Sequence, residues 1–255
     1  QSISAMEHTG TQLYSRGFFE LQLAFAAKVA LLSGCPLSET VGTHTNIYVR
    51  LAMGPRLDPA SPDWMAYTSE LAVARDPVAL TYRLYCQRAH MRAGPTVTVS
   101  VGRFGYAHVD QDHVRLHFDP SGQTPDSPLA LSNQVRRREE LVALLQHVVA
   151  SCPRVRVIGA SWLYNIPAYR RIFPQPYLDQ LHPIEPPFQR MPLWGQFLRR
   201  DGRLRDDPSA TFRKRLAAST GVDDLASCFP FQVLMAVVPA AQILEQLGCT
   251  WGEAE

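Results

Sequence analysis

The apolar residues of this chain change period once, near Gly94-Pro95, and that change constrains what it can fold into. Before it, Tyr14, Phe18, Leu21, Phe25, Val29 and Leu32 recur at i+3 and i+4, one face of a helix, with Gly34 and Pro36 as a stop. After it, Val97, Val99 and Val101 alternate with Thr96, Thr98 and Ser100, the period of a strand buried on one side. The expected organisation is a helical region over 6–94 and a mixed α/β region over 95–255, packed as one compact unit. Residues 1–5 read as a remnant of tag removal and stand outside the fold argument.

Four helices are expected in the first region. Ser38 caps the second, whose apolar face carries Leu37, Val41, Tyr48 and Leu51. His44 shares that face, where a histidine is usually satisfied by a backbone carbonyl. "SPDW" supplies a cap and an N1 proline for the third, and Asp76-Pro77 opens a fourth running to about His90. Further on, a helix spans about 133–150 with Leu141, Leu145, Val148 and Val149 inward. "RVRVIGAS" reads as a buried strand and "NIPAYRRIF" as a short helix capped by Asn165. Residues 174–192 are proline-rich and read as extended surface chain. Asp201-Gly202 marks a hairpin, "DPSATFRKRLAA" another capped helix, and "FQVLMAVV" a last strand before a closing helix. The fold class is therefore α+β or α/β: about four N-terminal helices packed on a mixed sheet flanked by helices.

Composition narrows the function classes. At 46% hydrophobic the chain can bury a sizeable core, and its net charge of +2 is too small for a nucleic-acid footprint. The longest apolar run is broken by Pro239, so no membrane span is expected, and no secretory signal follows Met6. A cytoplasmic enzyme acting on a small-molecule substrate fits these limits. Cys35, Cys86, Cys152, Cys228 and Cys249 are odd in number and lack any CxxC, the pattern of buried free thiols. Among the basic residues only Lys28 and Lys214 are lysines. The rest are arginines, which disfavours Schiff-base chemistry and favours anion recognition where they cluster.

"HVDQDH" at 108–113 resembles the HxHxDH signature of the metallo-β-lactamase superfamily, with Asp110 in place of the middle histidine. The resemblance implies a metal-dependent hydrolase or oxygenase using His108, Asp110, Asp112 and His113. The residues around it read differently. Val114, Leu116 and Phe118 alternate with His113, Arg115 and His117, so a strand follows and "DQD" is the turn of a hairpin. His113 and His117 then stand roughly 13 Å apart by strand rise, too far to grip one ion. No metal is expected, and His117 becomes a candidate base or hydrogen-bond donor.

The order strand, strand, helix, strand, helix over 97–173 resembles the core of the acyl-CoA N-acyltransferase (GNAT) superfamily, and "ASWLYNIPAYRRIF" is its best local point. That resemblance implies an acyltransferase with acyl-CoA as cofactor. Asn165 is then placed on the pantetheine arm, Trp162 on the tunnel wall, and the phosphates at the start of the 133–150 helix. The family's glycine phosphate loop is replaced there by "SNQVRRREE", which offers Arg136, Arg137 and Arg138 instead, with Glu139 and Glu140 beside them. Phe173 occupies the place of the family's tyrosine acid, leaving Tyr169 or Tyr164 for that role. Tyr164, Trp194 and Gln196 are candidate substrate contacts. A non-catalytic ligand-binding module, its arginine-rich face meeting an anionic partner, is the remaining alternative.

Overall fold

A computed structural model describes residues 13–91, 97–121, 126–186 and 191–248. The chain opens with helices α1 (Arg16–Ser33), α2 (Leu37–His44), α3 (Ile47–Arg50), α4 (Pro62–Val73) and α5 (Pro77–Gln87). Strands β1 (Val99–Val101), β2 (Phe104–His108) and β3 (His113–Phe118) precede helix α6 (Gln134–Ser151) and strand β4 (Arg156–Ser161). Short helices α7 (Pro167–Arg170) and α8 (Gln175–Leu178), strand β5 (His182–Pro183), helix α9 (Asp206–Ala218), strand β6 (Leu234–Pro239) and helix α10 (Ala240–Gln246) follow. No helix among the described residues is long and apolar enough to cross a membrane. Cys35, Cys86, Cys152 and Cys228 are free thiols; Cys249 and the 1–5 segment lie outside the described residues.

Among the described residues, chain contacts separate two compact units, a sheet unit from 97–184 and 233–248 and a helical unit from 13–91 and 185–232. The segment 185–232, grouped with the strands on sequence, thus belongs with the helices. Its aromatic side chains explain why. Trp194, Phe197, Phe212 and Phe229 are buried and pack with one another, and Trp194, Phe212 and Phe229 also ring Phe25 of α1 at centroid distances of 5.6, 5.9 and 5.0 Å. Such large rings contribute roughly 2 kcal/mol each in buried area alone.

The start signals of the helical unit work as expected, with one exception. Gly34 ends α1 in the left-handed conformation (φ 74°), its N–H donating to Ala30 C=O. Ser61 Oγ accepts from Trp64 N–H, and Asp76 Oδ1 from Ala79 N–H, each ahead of an N1 proline. The exception is the second helix, which breaks into α2 and α3 with Pro36, not Ser38, at its N-cap. Thr45 turns extended there, and the freed amide of Asn46 donates to Oε1 of buried Gln22 at 2.9 Å. His44 is buried with Nδ1 3.3 Å from Thr40 C=O, and its own carbonyl accepts from Trp194 Nε1.

The sheet has the order β1-β2-β3-β4-β6-β5 and is open. All neighbours pair antiparallel except β3 and β4, which run parallel across the α6 crossover. Core residues lie on the face covered by α6 and α10: Tyr106, Val114, Leu116 and Val157 meet Leu141, Leu144, Leu145, Val148, Ile243 and Leu244. Two local expectations give way. Asn165 does not cap α7, whose N-cap is Ile166, and the proline-rich stretch contributes α8 and β5 instead of wholly extended chain.

Burial lowers the pKa of His44 from its ordinary 6.5, outweighing the Thr40 hydrogen bond. The unfolded chain therefore binds a proton that the folded chain refuses. The associated stability is fully present above pH 6.5 and is lost as pH falls through the lower folded-state value. Melting temperature should drop between pH 7.5 and 5.5, and H44Q should shrink that drop.

Candidate active site

The sheet comes apart where β3 and β4 end. Their parallel register covers only His113↔Arg156, Val114↔Val157 and Arg115↔Ile158. Each strand runs three residues further with its other neighbour: β3 stays with β2 as far as Phe104↔Phe118, and β4 with β6 through Ser161↔Leu234. Hydrogen bonds from Val109 N–H to His113 C=O and from Asp119 N–H to Arg103 C=O fix which groups of β3 face β2. The alternate residues then face β4. Ala240 N–H donating to Val155 C=O fixes the phase of β4 likewise. Leu116 C=O, both main-chain groups of Phe118 and both of Ala160 thus point across the gap without a ladder partner. Unpaired backbone beside a sheet interior is unusual, because such groups are normally satisfied. Here they border a gap beside which Phe118 and Ala160 are only half-buried.

The two faces of the gap differ. His117, on the last stretch of β3, projects with His113 and Arg115 away from the α6 face. Burial and the neighbouring Arg115 charge lower its pKa, so the imidazole is neutral near pH 7. On the α6 side, phenols crowd the gap. Tyr164 and Tyr177 share a 2.6 Å hydrogen bond between hydroxyls, and the Tyr169 ring packs 5.2 Å from that of Tyr164. Both hydroxyls of the first pair lie against Gly159 of β4, where any Cβ would overlap them. Burial raises Tyr164 and Tyr169 well above the ordinary phenol value and pushes Tyr177 up to about 12, so all three keep their protons. Tyr169 also packs on Phe104 and Phe118, and Trp162 and Asn165 follow β4 directly in a 3-10 turn closed by Asn165 Nδ2 donating to Trp162 C=O.

The arginine run opening α6 is largely committed to protein partners. Glu140 is buried; its carboxylate forms ion pairs with Arg136 Nε at 3.3 Å and Arg137 Nη1 at 2.9 Å and accepts a hydrogen bond from the backbone N–H of Arg103 at 3.0 Å. Arg103 follows Gly102 in the β1–β2 turn, where φ is +58° and a side chain would strike that carboxylate. Arg138 donates to the carbonyls of Arg171 and Ile172, and Gln134 Nε2 also reaches Arg171 C=O. Glu139 alone of the pair stays exposed. The buried position of Arg137 and Glu140 was legible: 137, 140, 141, 144, 145 and 148 form one i+3/i+4 stripe.

Other candidates are placed elsewhere. Trp194 and Gln196 belong to the helical unit. Gln196 is buried, its amide donating to Leu193 and Phe231 carbonyls and accepting Phe231 N–H. A groove of about 410 Å³ in that unit is lined by Tyr67, Glu70, Arg83 and Arg88, but Arg88 pairs with Asp63 at 2.7 Å and Tyr67 OH bonds Thr81. The opening hairpin does not gather a metal set. His108 lies opposite Val114 and so shares its face, while His113 projects from the other face and binds Asp110 at 2.9 Å. No group of three or more metal-ligating side chains occurs among the described residues. Comparison with protein-family models, curated proteins and solved structures finds no match.

Removing Glu140 leaves Arg137 buried without its counter-charge, a loss of about 3 kcal/mol. Urea denaturation should show E140A strongly destabilised and R137M/E140A recovering much of the difference.

Proposed function

We propose that the chain is an acyltransferase that draws an acyl thioester, carried on an extended pantetheine-type arm, into the gap between β3 and β4 and passes the acyl group to a small nucleophile. The carrying observation is the three-residue limit of the parallel ladder, which leaves Leu116, Phe118 and Ala160 main-chain groups open. A pantetheine arm holds two amides in an extended chain. Such a chain completes an open strand edge through its own donors and acceptors. The order of elements on either side, with helix α6 linking the two parting strands, supports the same reading. The runner-up, a metal-dependent hydrolase, loses its basis because its four residues do not converge.

Whole coenzyme A fits this chain only in part. The gap suits its arm, but a diphosphate at the start of α6 needs free donors. A 3-10 turn ahead of the helix already directs Asn133 N–H to Ala130 C=O and Gln134 N–H to Leu131 C=O, while Glu140 and the 171–172 carbonyls hold the arginines. The residues do not form a nucleotide cradle.

The thioester supplies an acyl group with a good leaving sulfur. As the acceptor N–H or O–H adds to the carbonyl, the new bond forms and the C–S bond breaks. The acceptor proton goes to neutral His117, which borders the gap on the face away from α6. The sulfur leaves as the thiolate, stabilised on the other side by the protonated phenols of Tyr169, Tyr164 and Tyr177, and takes up the proton that His117 returns through water. Trp162 and Asn165, at the end of β4, wall the far end of the arm.

Hydrogen exchange tests the binding step. In the free protein the amides of Phe118 and Ala160 should exchange far faster than those of Val157 and Gly159, which pair with β6. Acetyl- or octanoyl-pantetheine should slow them at least tenfold. Unchanged exchange with every thioester would sink the proposal. H117A should then lower turnover roughly 10²–10³-fold, typical of a lost general base. The wild-type rate should stay flat below pH 6.5 before falling, because the folded His117 pKa lies under that ordinary value.

A further inference from the structure

The end of the sheet unit at which the gap opens carries a surface that a free coenzyme does not need. The ring of Phe118 at the end of β3 meets Tyr169 at 5.3 Å, and the first turns of α6 reach the 171–172 carbonyls through Arg138 and Gln134. The gap, α6's start and the end of α7 are therefore neighbours. On that rim Leu131, in the 3-10 turn ahead of α6, is 69% exposed, and Val135, in the first turn of α6, is 70% exposed. Arg136, Arg138 and Arg171 are exposed around them, with Glu139 the exposed carboxylate of that helix start. Large apolar side chains standing in water at one spot, ringed by arginines, are the composition of a protein-docking surface: apolar centre, charged rim. The positive rim favours an acidic partner.

Resting on the acyl-transfer reading, we infer that the arm arrives tethered to a small acidic carrier protein, through the phosphodiester of a phosphopantetheine group, and that the carrier docks on Leu131, Val135, Arg136, Arg138 and Arg171. The arm then reaches the gap while the carrier, not a nucleotide, supplies the binding surface. This accounts for two observations together: the nucleotide cradle is missing, and the place where it would sit offers exposed apolar side chains. Coenzyme A, whose far end is a charged nucleotide, matches neither.

The test measures binding by fluorescence anisotropy with four probes: an acidic carrier protein with an acetylated or octanoylated arm, the same carrier without its arm, octanoyl-CoA, and octanoyl-pantetheine. The acylated carrier should bind at least tenfold more tightly than octanoyl-CoA, and more weakly as salt rises. V135D/R171E, two exposed positions, should weaken the carrier at least tenfold while octanoyl-pantetheine still protects the Ala160 amide. Octanoyl-CoA binding as tightly as the acylated carrier overturns the inference and leaves acyl transfer standing. So does carrier binding that V135D/R171E leaves unchanged. Failure of octanoyl-pantetheine to protect Ala160 removes both proposals.

Discussion

Parallel pairing between β3 and β4 lasts for three residues, while each strand stays paired to its end with its other neighbour. Antiparallel β2 holds β3 to its end, and antiparallel β6 holds β4 to its end. A parallel ladder is slightly less stable per residue than an antiparallel one, so when twist separates the middle strands it is the parallel seam that opens. The open seam gives the sheet unit both its unsatisfied main chain and its half-buried histidine.

Stiff packing on the α6 side keeps that seam from collapsing. Gly159 lets the Tyr164 and Tyr177 hydroxyls come against the strand backbone, and Phe104, Phe118, Tyr169 and Phe173 surround them in edge and stacked contacts. The Tyr164 and Tyr177 hydroxyls bond to each other inside an aromatic cluster, which holds them in place. At the other end of the same face Glu140 ties the start of α6 to the β1–β2 turn. A carboxylate paired with two guanidinium groups and accepting a backbone N–H fixes that helix end, which lends the rim a defined shape and withdraws only buried Arg137 from ligand work.

Much of the architecture was legible because its signals are local. Ser61, Asp76, Gly34 and Asp110-Gln111-Asp112 act on neighbours a few residues away, and they start, stop or turn the chain where the sequence places them. The hairpin assignment of "HVDQDH" survived because alternation of Val114, Leu116 and Phe118 leaves one arrangement that buries them. Local signals misled where a distant side chain competed. Gln22 captures the Asn46 amide and splits a helix that Leu37 to Leu51 otherwise suggest is continuous. Trp194 and Gln196 looked like a pocket wall because aromatic and amide groups resemble one, yet core aromatics and the Phe231 backbone absorb them.

Sequence alone determined the periods and the caps at Ser61 and Asp76, since these depend on residues adjacent along one helix or strand. Tertiary structure alone decided which backbone groups go unpaired and which arginines remain exposed. Whether Ala160 N–H has a partner depends on how far β3 runs beside β4, and whether Arg138 is engaged depends on the carbonyls at 171–172. Hydrogen bonds saturate and burial is collective, so a residue's availability for chemistry is set by what remains after every other element has taken its partners.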